Sequence, residues 1–154
     1  MRDTILYGDC LKTLDILKSH ISIGICDKPR MCVTSPPYYG LRDYGGEDNQ
    51  IGHEDTPEEF ISNLVNIFSK VKDCLADDGT LWLNMGDSYY NYRPGKGQAL
   101  VKQTVASGKQ DLPDKCARRG NKLDGLKEKD LIGIPWMLAF ALRADGWYLR
   151  QDII

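Results

Sequence analysis

Thr34-Ser35-Pro36-Pro37-Tyr38-Tyr39-Gly40 is the heptapeptide in this chain whose residue types combine into chemistry. Two consecutive prolines, Pro36 and Pro37, fix φ near about −65° and carry no N–H, so the carbonyls around them are held stiffly with few local donors. They become acceptors aimed outward. The Ser35 oxygen just before them is a second acceptor, and the Tyr38 ring just after them offers a flat apolar face. That combination suits a planar ring bearing an exocyclic amine, such as cytosine or adenine. The amine is a poor nucleophile because its lone pair is delocalised into the ring. Two acceptors on its two hydrogens would pull it toward tetrahedral geometry and free the lone pair for attack on an electrophilic methyl group, by positioning and electrostatics alone. A base inside a duplex must first be flipped out, at a cost that stacking on Tyr38 and the two hydrogen bonds would offset.

The elements that must position this loop follow from local pattern. Ile5-Leu6-Tyr7 reads as a short strand ended by Gly8-Asp9, after which Leu11, Leu14, Ile16 and Leu17 recur at about helical spacing. Met31-Cys32-Val33-Thr34 reads as a second strand, stopped by Ser35-Pro36-Pro37. Thr56-Pro57-Glu58-Glu59 sets a capping residue, a proline at the first helical position and a glutamate three after the cap, so a helix starts there. Phe60, Ile61, Leu64, Val65, Phe68, Val71 and Leu75 form its apolar stripe until Asp77-Asp78-Gly79 closes it. Thr80 to Met85 is an apolar run of the kind found inside a parallel sheet, ended by Gly86-Asp87-Ser88. Pro135 opens a further helix carrying Trp136 and Phe140, read as core together with Trp147, and Trp147 to Ile154 reads as a last strand. Alternating strands and helices predict an α/β fold with a mostly parallel sheet flanked by helices, in which ligands bind beyond the carboxyl ends of the strands. Gly8-Asp9, Ser35-Pro36-Pro37 and Gly86-Asp87 stand at such ends, so three loops are expected to line one pocket.

The 154 residues suffice for one domain and not for two well-buried cores. Hydrophobic residues at 42 % and charged residues at 27 % exclude wholesale disorder and fibrous repeats. No apolar run is long enough to span a membrane, and the first residues lack the layout of a secretory signal, so a soluble, cytoplasmic protein is expected. Five cysteines, Cys10, Cys26, Cys32, Cys74 and Cys116, contain no C-x-x-C, and His20 and His53 stand far apart. This argues against a disulfide framework and a metal site, and the thiols are expected to be reduced and mostly buried. The net charge of −2 conceals an asymmetry: Tyr90 to Asp130 carries ten Lys/Arg against five acids. A basic excursion at about 89–130, too long for an ordinary connection, is either functional or disordered when unliganded. Arg118, Arg119 and Lys122 are its expected phosphate contacts.

The string Thr-Ser-Pro-Pro-Tyr-Tyr-Gly-Leu-Arg-Asp-Tyr-Gly, Thr34 to Gly45, closely resembles motif IV of the amino-methylating DNA methyltransferases, the N4-cytosine and N6-adenine group, in the permuted class that places this motif early. Ile5 to Leu11 and Gly79 to Ser88 resemble the class's N-terminal segment and its next strand and turn. The resemblance implies a partial Rossmann-like, S-adenosylmethionine-dependent methyltransferase fold acting on double-stranded DNA. It implies that Ser35 and the Pro36 carbonyl, stiffened by Pro37, hold the target amine, and that Tyr38 stacks on the base. It also implies that Asp9, Thr34 and Asp87 face the cofactor. A serine before Pro-Pro tilts the expectation toward N4 of cytosine, with N6 of adenine as the alternative. The Asp-Pro-Phe-x-Gly-Ser-Gly-type loop that cradles the cofactor's methionine in this family does not occur in these residues. The chain therefore reads as residues 1–154 of a single incomplete catalytic domain, the amino-terminal half. Weak or absent cofactor binding is expected, and a complementary C-terminal half or a homodimer as partner. A non-catalytic DNA-binding or assembly fragment is the reading from a different class. Asp9 and Asp87 also have a plainer reading, as helix cap and turn residue.

Overall fold

The computed structural model describes residues 4–41, 50–90, 123 and 125–153. The chain runs α1 (Cys10–Ser22), β1 (Met31–Thr34), α2 (Pro57–Cys74), β2 (Thr80–Leu83) and α3 (Ile134–Ala144). The two strands form a parallel sheet in the register Met31 with Thr80 through Thr34 with Leu83. A parallel pair needs a crossover between its strands, and α2 is that crossover.

The start of α2 follows from its sequence. Thr56 is extended, its hydroxyl accepts the Glu59 N–H at 3.2 Å, and Pro57 occupies the first turn. Phe60, Ile61, Leu64, Phe68 and Val71 form the buried stripe, with Val65 packed beside it. Ile134, Leu138 and Leu142, one turn apart on α3, complete the core from one side, and Cys32, Leu81 and Leu83 from the inner face of the sheet complete it from the other. Phe60 and Ile134 have no exposed surface. Gly79 closes the α2–β2 turn where only a hydrogen fits, because a Cβ there would lie 2.8 Å from the Ala76 oxygen.

Helix α1 lies outside this core. None of its residues is fully buried, and Leu14 is its contribution to the packing. Two ion pairs fasten it to α2, Lys18 to Asp73 at 2.6 Å and Lys70 to Asp15 at 2.6 Å. The Cys74 thiol reaches the Leu14 carbonyl at 3.6 Å.

Several expectations are corrected. Ile5-Leu6-Tyr7 forms no strand, and Tyr7 is 86 % exposed. Residues 147–153 form none either: Trp147 packs on the core, but Tyr148 is 88 % exposed. A strand exists by pairing, and neither segment meets a sheet edge among the described residues. Trp136 and Phe140 are 50 % and 51 % exposed, because helical periodicity turns them away from Ile134, Leu138 and Leu142. The Arg143 guanidinium covers part of Phe140, 4.9 Å from the ring centroid. Of the four described cysteines only Cys74 is buried; Cys10 is exposed and Cys26 and Cys32 are intermediate, while Cys116 lies outside the described residues. Among the described residues no helix is long and apolar enough to cross a membrane.

Candidate active site at the strand ends

Parallel register sets the carboxyl ends of β1 and β2 side by side, and the Asn84 N–H donates to the Thr34 carbonyl at 3.0 Å, one step past the sheet. From there the two loops diverge in chemistry but not in space. Ser35 is exposed, and its hydroxyl has no hydrogen-bond partner among the described residues; Pro36 and Pro37 are partly buried. The Cys32 thiol, on the inner face of β1, packs against the core, and burial pushes its pKa up.

The two tyrosines part company after the prolines. Tyr39 packs its ring on Phe60, with centroids 5.4 Å apart, and so anchors the loop to the core. Tyr38 lies instead along the β2 loop, where a Cβ on Gly86 would come within 3.0 Å of its Cε2. The Ser88 hydroxyl donates to the Tyr39 carbonyl at 2.7 Å, and the Gly40 N–H donates to the Gly52 carbonyl at 2.9 Å. The loop after β1 is thus fastened on both sides, to residues 86–88 and to residue 52.

Asp87 sits between these fastenings and the start of α3. Its Oδ1 accepts from the N–H groups of Ser88 (2.8 Å), Gly133 (3.1 Å) and Ile134 (3.1 Å), and its Oδ2 accepts from Gly133 at 3.0 Å. The N-cap Gly133 has φ 90° and no side chain to supply an acceptor, so a carboxylate from another segment caps the helix and faces its positive end. The flanks of the basic excursion are also joined. Tyr89 and Leu131 form an antiparallel bridge, and the Tyr90 N–H donates to the Asp130 carbonyl at 2.8 Å.

The structure therefore brings together Thr34, Ser35, Pro36, Pro37, Tyr38 and Asp87. Asp9 is elsewhere in role: its Oδ1 caps α1 by accepting from Leu11 (3.0 Å) and Lys12 (3.2 Å), and no described hydrogen bond joins it to the strand-end loops. Arg118, Arg119 and Lys122 lie outside the described residues. The sequence places Gly86 and Ser88 in the turn that ends β2 without giving either a role of its own, and it carries no signal for Gly52. Among the described residues no cluster of three or more metal-ligating side chains occurs.

Two parallel strand ends, a Ser-Pro-Pro-Tyr loop on the first and a Gly-Asp-Ser turn on the second form the frame on which comparison with known proteins bears. Residues 30–154 match the N6_N4_Mtase family, described as DNA methylase. The chain is 48 % identical over 151 residues to the type II methyltransferase M.Cfr9I of Citrobacter freundii, covering 98 % of this chain and 45 % of that protein. It is 49 % identical over 151 residues to the type II methyltransferase M.XycI of Xanthomonas campestris pv. cyanopsidis, with 98 % and 45 % covered. To the type II methyltransferase M.SmaI of Serratia marcescens it is 46 % identical over 150 residues, with 97 % and 46 % covered. No solved structure matches significantly. The chain belongs to the N6/N4 DNA methylase family, and it spans somewhat less than half the length of the relatives named here.

Proposed function

We propose that this chain supplies the amine-binding and base-stacking part of a DNA methyltransferase that acts on the exocyclic amine of a flipped base, N4 of cytosine in preference to N6 of adenine. The observation that carries the reading is the Ser35 hydroxyl, exposed and without a described partner, on a proline-stiffened loop at the end of a parallel strand, next to a tyrosine whose ring is not absorbed into the core. In this reading Ser35 and the Pro36 carbonyl each accept one hydrogen of the amine, Pro37 holds that carbonyl still, and Tyr38 lies against the base. The serine before Pro-Pro is what favours cytosine.

S-adenosylmethionine, when bound, supplies the electrophilic methyl group. The donors and acceptors present suit its polar parts. Asp9 is exposed, with the carboxylate oxygen that does not cap α1 free of described bonds, and Asp87 keeps lone-pair capacity on Oδ2. Thr34, at the last position of β1, is the third residue we assign to that side. We expect this chain alone to bind the cofactor weakly, and the two strands to belong to a larger Rossmann-like sheet. The partners in this reading are double-stranded DNA, whose phosphates Arg118, Arg119 and Lys122 contact, and a complementary C-terminal polypeptide or a second copy covering the outer face of the sheet. We place the work in the cytoplasm, as part of DNA methylation in a restriction-modification setting.

The test is methyl incorporation from labelled S-adenosylmethionine into bulk DNA, with this chain supplemented by the portion of a type II relative beyond the aligned region. Ser35→Ala and Tyr38→Ala are each expected to abolish incorporation while the chain stays folded, with the urea unfolding midpoint unchanged in Ser35→Ala and lowered only modestly in Tyr38→Ala. Incorporation at the unsubstituted rate would remove the roles assigned to both residues.

A further inference from the structure

We infer that Gly52 and Gly86 are positioning residues for Tyr38, their missing side chains setting where its backbone and its ring can lie; the inference rests on reading Tyr38 as the surface on which a base stacks. Tyr38 meets a glycine at each end. On its backbone side a Cβ at Gly52 would stand 2.9 Å from the Tyr38 carbonyl oxygen, 3.6 Å from its carbonyl carbon and 3.5 Å from the Cβ of Pro37. On its ring side a Cβ at Gly86 would stand 3.0 Å from Cε2, 3.2 Å from Cδ2 and 3.7 Å from Cζ. The 2.9 Å approach at Gly52 is closed to a Cβ unless the backbone shifts, and the 3.0 and 3.2 Å approaches at Gly86 admit one only if the Tyr38 ring gives way by a few tenths of an ångström.

The two glycines differ in what else holds them. Gly52 is buried, has φ 92°, and accepts the Gly40 N–H at 2.9 Å, so it closes the loop behind the prolines as well as backing Tyr38. Gly86 takes no left-handed φ. A side chain there is therefore resisted by the Tyr38 ring and not by its own backbone. Tyr38 cannot simply yield at its other end, because the neighbouring Tyr39 is held by its ring contact with Phe60 and by the Ser88 hydroxyl on its carbonyl. An added methyl at position 86 must be answered by tilt or displacement of the Tyr38 ring. Stacking depends on the ring presenting its flat face to the base, so a tilt of the Tyr38 ring lowers base affinity by part of what the whole ring contributes.

Gly86→Ala is the informative variant, since Gly52→Ala adds backbone strain to the clash. The experiment uses the whole chain with isotope-labelled tyrosines, followed by NMR, and takes deoxycytidine and deoxyadenosine as probes. In the unsubstituted chain the Tyr38 ring signals move on titration with deoxycytidine. In Gly86→Ala the same ring signals are already displaced before any nucleoside is added, and the deoxycytidine affinity read from them falls about threefold or more, a fraction of what loss of a whole stacking ring removes. The urea midpoint gives the structural arm: whatever Gly86→Ala costs in the unsubstituted chain disappears in a Tyr38→Ala background, because the atoms the methyl meets are gone. Equal responses to deoxycytidine with and without Gly86→Ala overturn the inference and leave the stacking reading standing. A stability cost that persists without the Tyr38 ring also overturns it. If the unsubstituted Tyr38 ring ignores both nucleosides, the stacking reading itself fails and takes the positioning roles with it.

Discussion

Asp87 shows how much one side chain at a strand end can decide. Its carboxylate receives the N–H groups of Ser88, Gly133 and Ile134, and the last two are the N-cap and first residue of α3, 46 and 47 residues further along the chain. These donors have no intrahelical partner. Truncation to alanine leaves them unsatisfied in a partly buried place and removes the charge facing the helix's positive end. Asp87→Ala is therefore expected to destabilise the chain by about 1–3 kcal/mol in urea unfolding. Asp87→Asn, which keeps an acceptor but not the charge, should cost less than half of that. A flat response to both variants would mean that α3 is held by Ile134, Leu138 and Leu142 alone. The same carboxylate is one we propose for the cofactor side, and its capping bonds leave lone-pair capacity for that role on Oδ2. Ser88, the next residue, bonds the Tyr39 carbonyl, so α3 and the Ser-Pro-Pro-Tyr loop are joined through two adjacent side chains.

At the scale of elements, α1 is the part held by charge more than by packing. The Lys18 ammonium beside Asp73 holds that carboxyl below its ordinary value, and Asp73 in turn raises Lys18. Stability from the depressed Asp73 is present above its unfolded-state value and is lost as pH falls through the lower folded value. Stability from the raised Lys18 is present below its unfolded-state value and is lost as pH rises through the higher folded one. Both groups are exposed, so the contribution is small and screened by salt. Protection of the α1 amides against hydrogen exchange should fall first in acid and in concentrated salt, while protection in α2 holds. Equal loss in the two helices would show that α1 is fastened by Leu14 and the Cys74 contact instead. The contrast between these helices also explains what was legible in the sequence. Helix α2 could be read because Thr56, Pro57, Glu59 and the Phe60-to-Val71 stripe are all local signals of one helix. The segments 5–7 and 147–153 have the composition of strands, but pairing depends on a partner edge that composition does not contain. Size and apolarity place Trp136 and Phe140 in the core on a sequence reading, whereas the phase set by Ile134, Leu138 and Leu142 faces them outward. The candidate site we propose is read from the stiffness and acceptors of Ser35 to Tyr38; the close approach of Gly52 and Gly86 to Tyr38 is not legible in the sequence, since a glycine's need shows only when distant chain is brought against it.

For the molecule as a whole, the decisive surface is the outer face of the sheet. Strand alternation sends Cys32, Leu81 and Leu83 to the core and leaves Met31, Val33 and Trp82 facing outward, with Val33 67 % and Trp82 48 % exposed. Val33 and Trp82 are also cross-strand partners, so they form one contiguous apolar patch. The indole N–H donates to the Thr80 hydroxyl at 3.1 Å, which keeps the ring along the strand. Parallel sheets are ordinarily covered on both faces, and an apolar face flanked by edges that no strand pairs among the described residues attracts other chains. The chain is expected to associate: light scattering should give a mass above 17.4 kDa that rises with protein concentration, and Trp82 emission should shift to the blue as it does. Val33→Thr with Trp82→Gln should lower the association about tenfold, because it removes most of the apolar area in the patch while β-propensity at position 33 is retained. The same pair of substitutions should leave deoxycytidine titration of Tyr38 unchanged, since neither residue belongs to the strand-end loops. A mass of one chain at every concentration would show that the outer face needs no cover, and the two strands would then stand as a sheet in their own right.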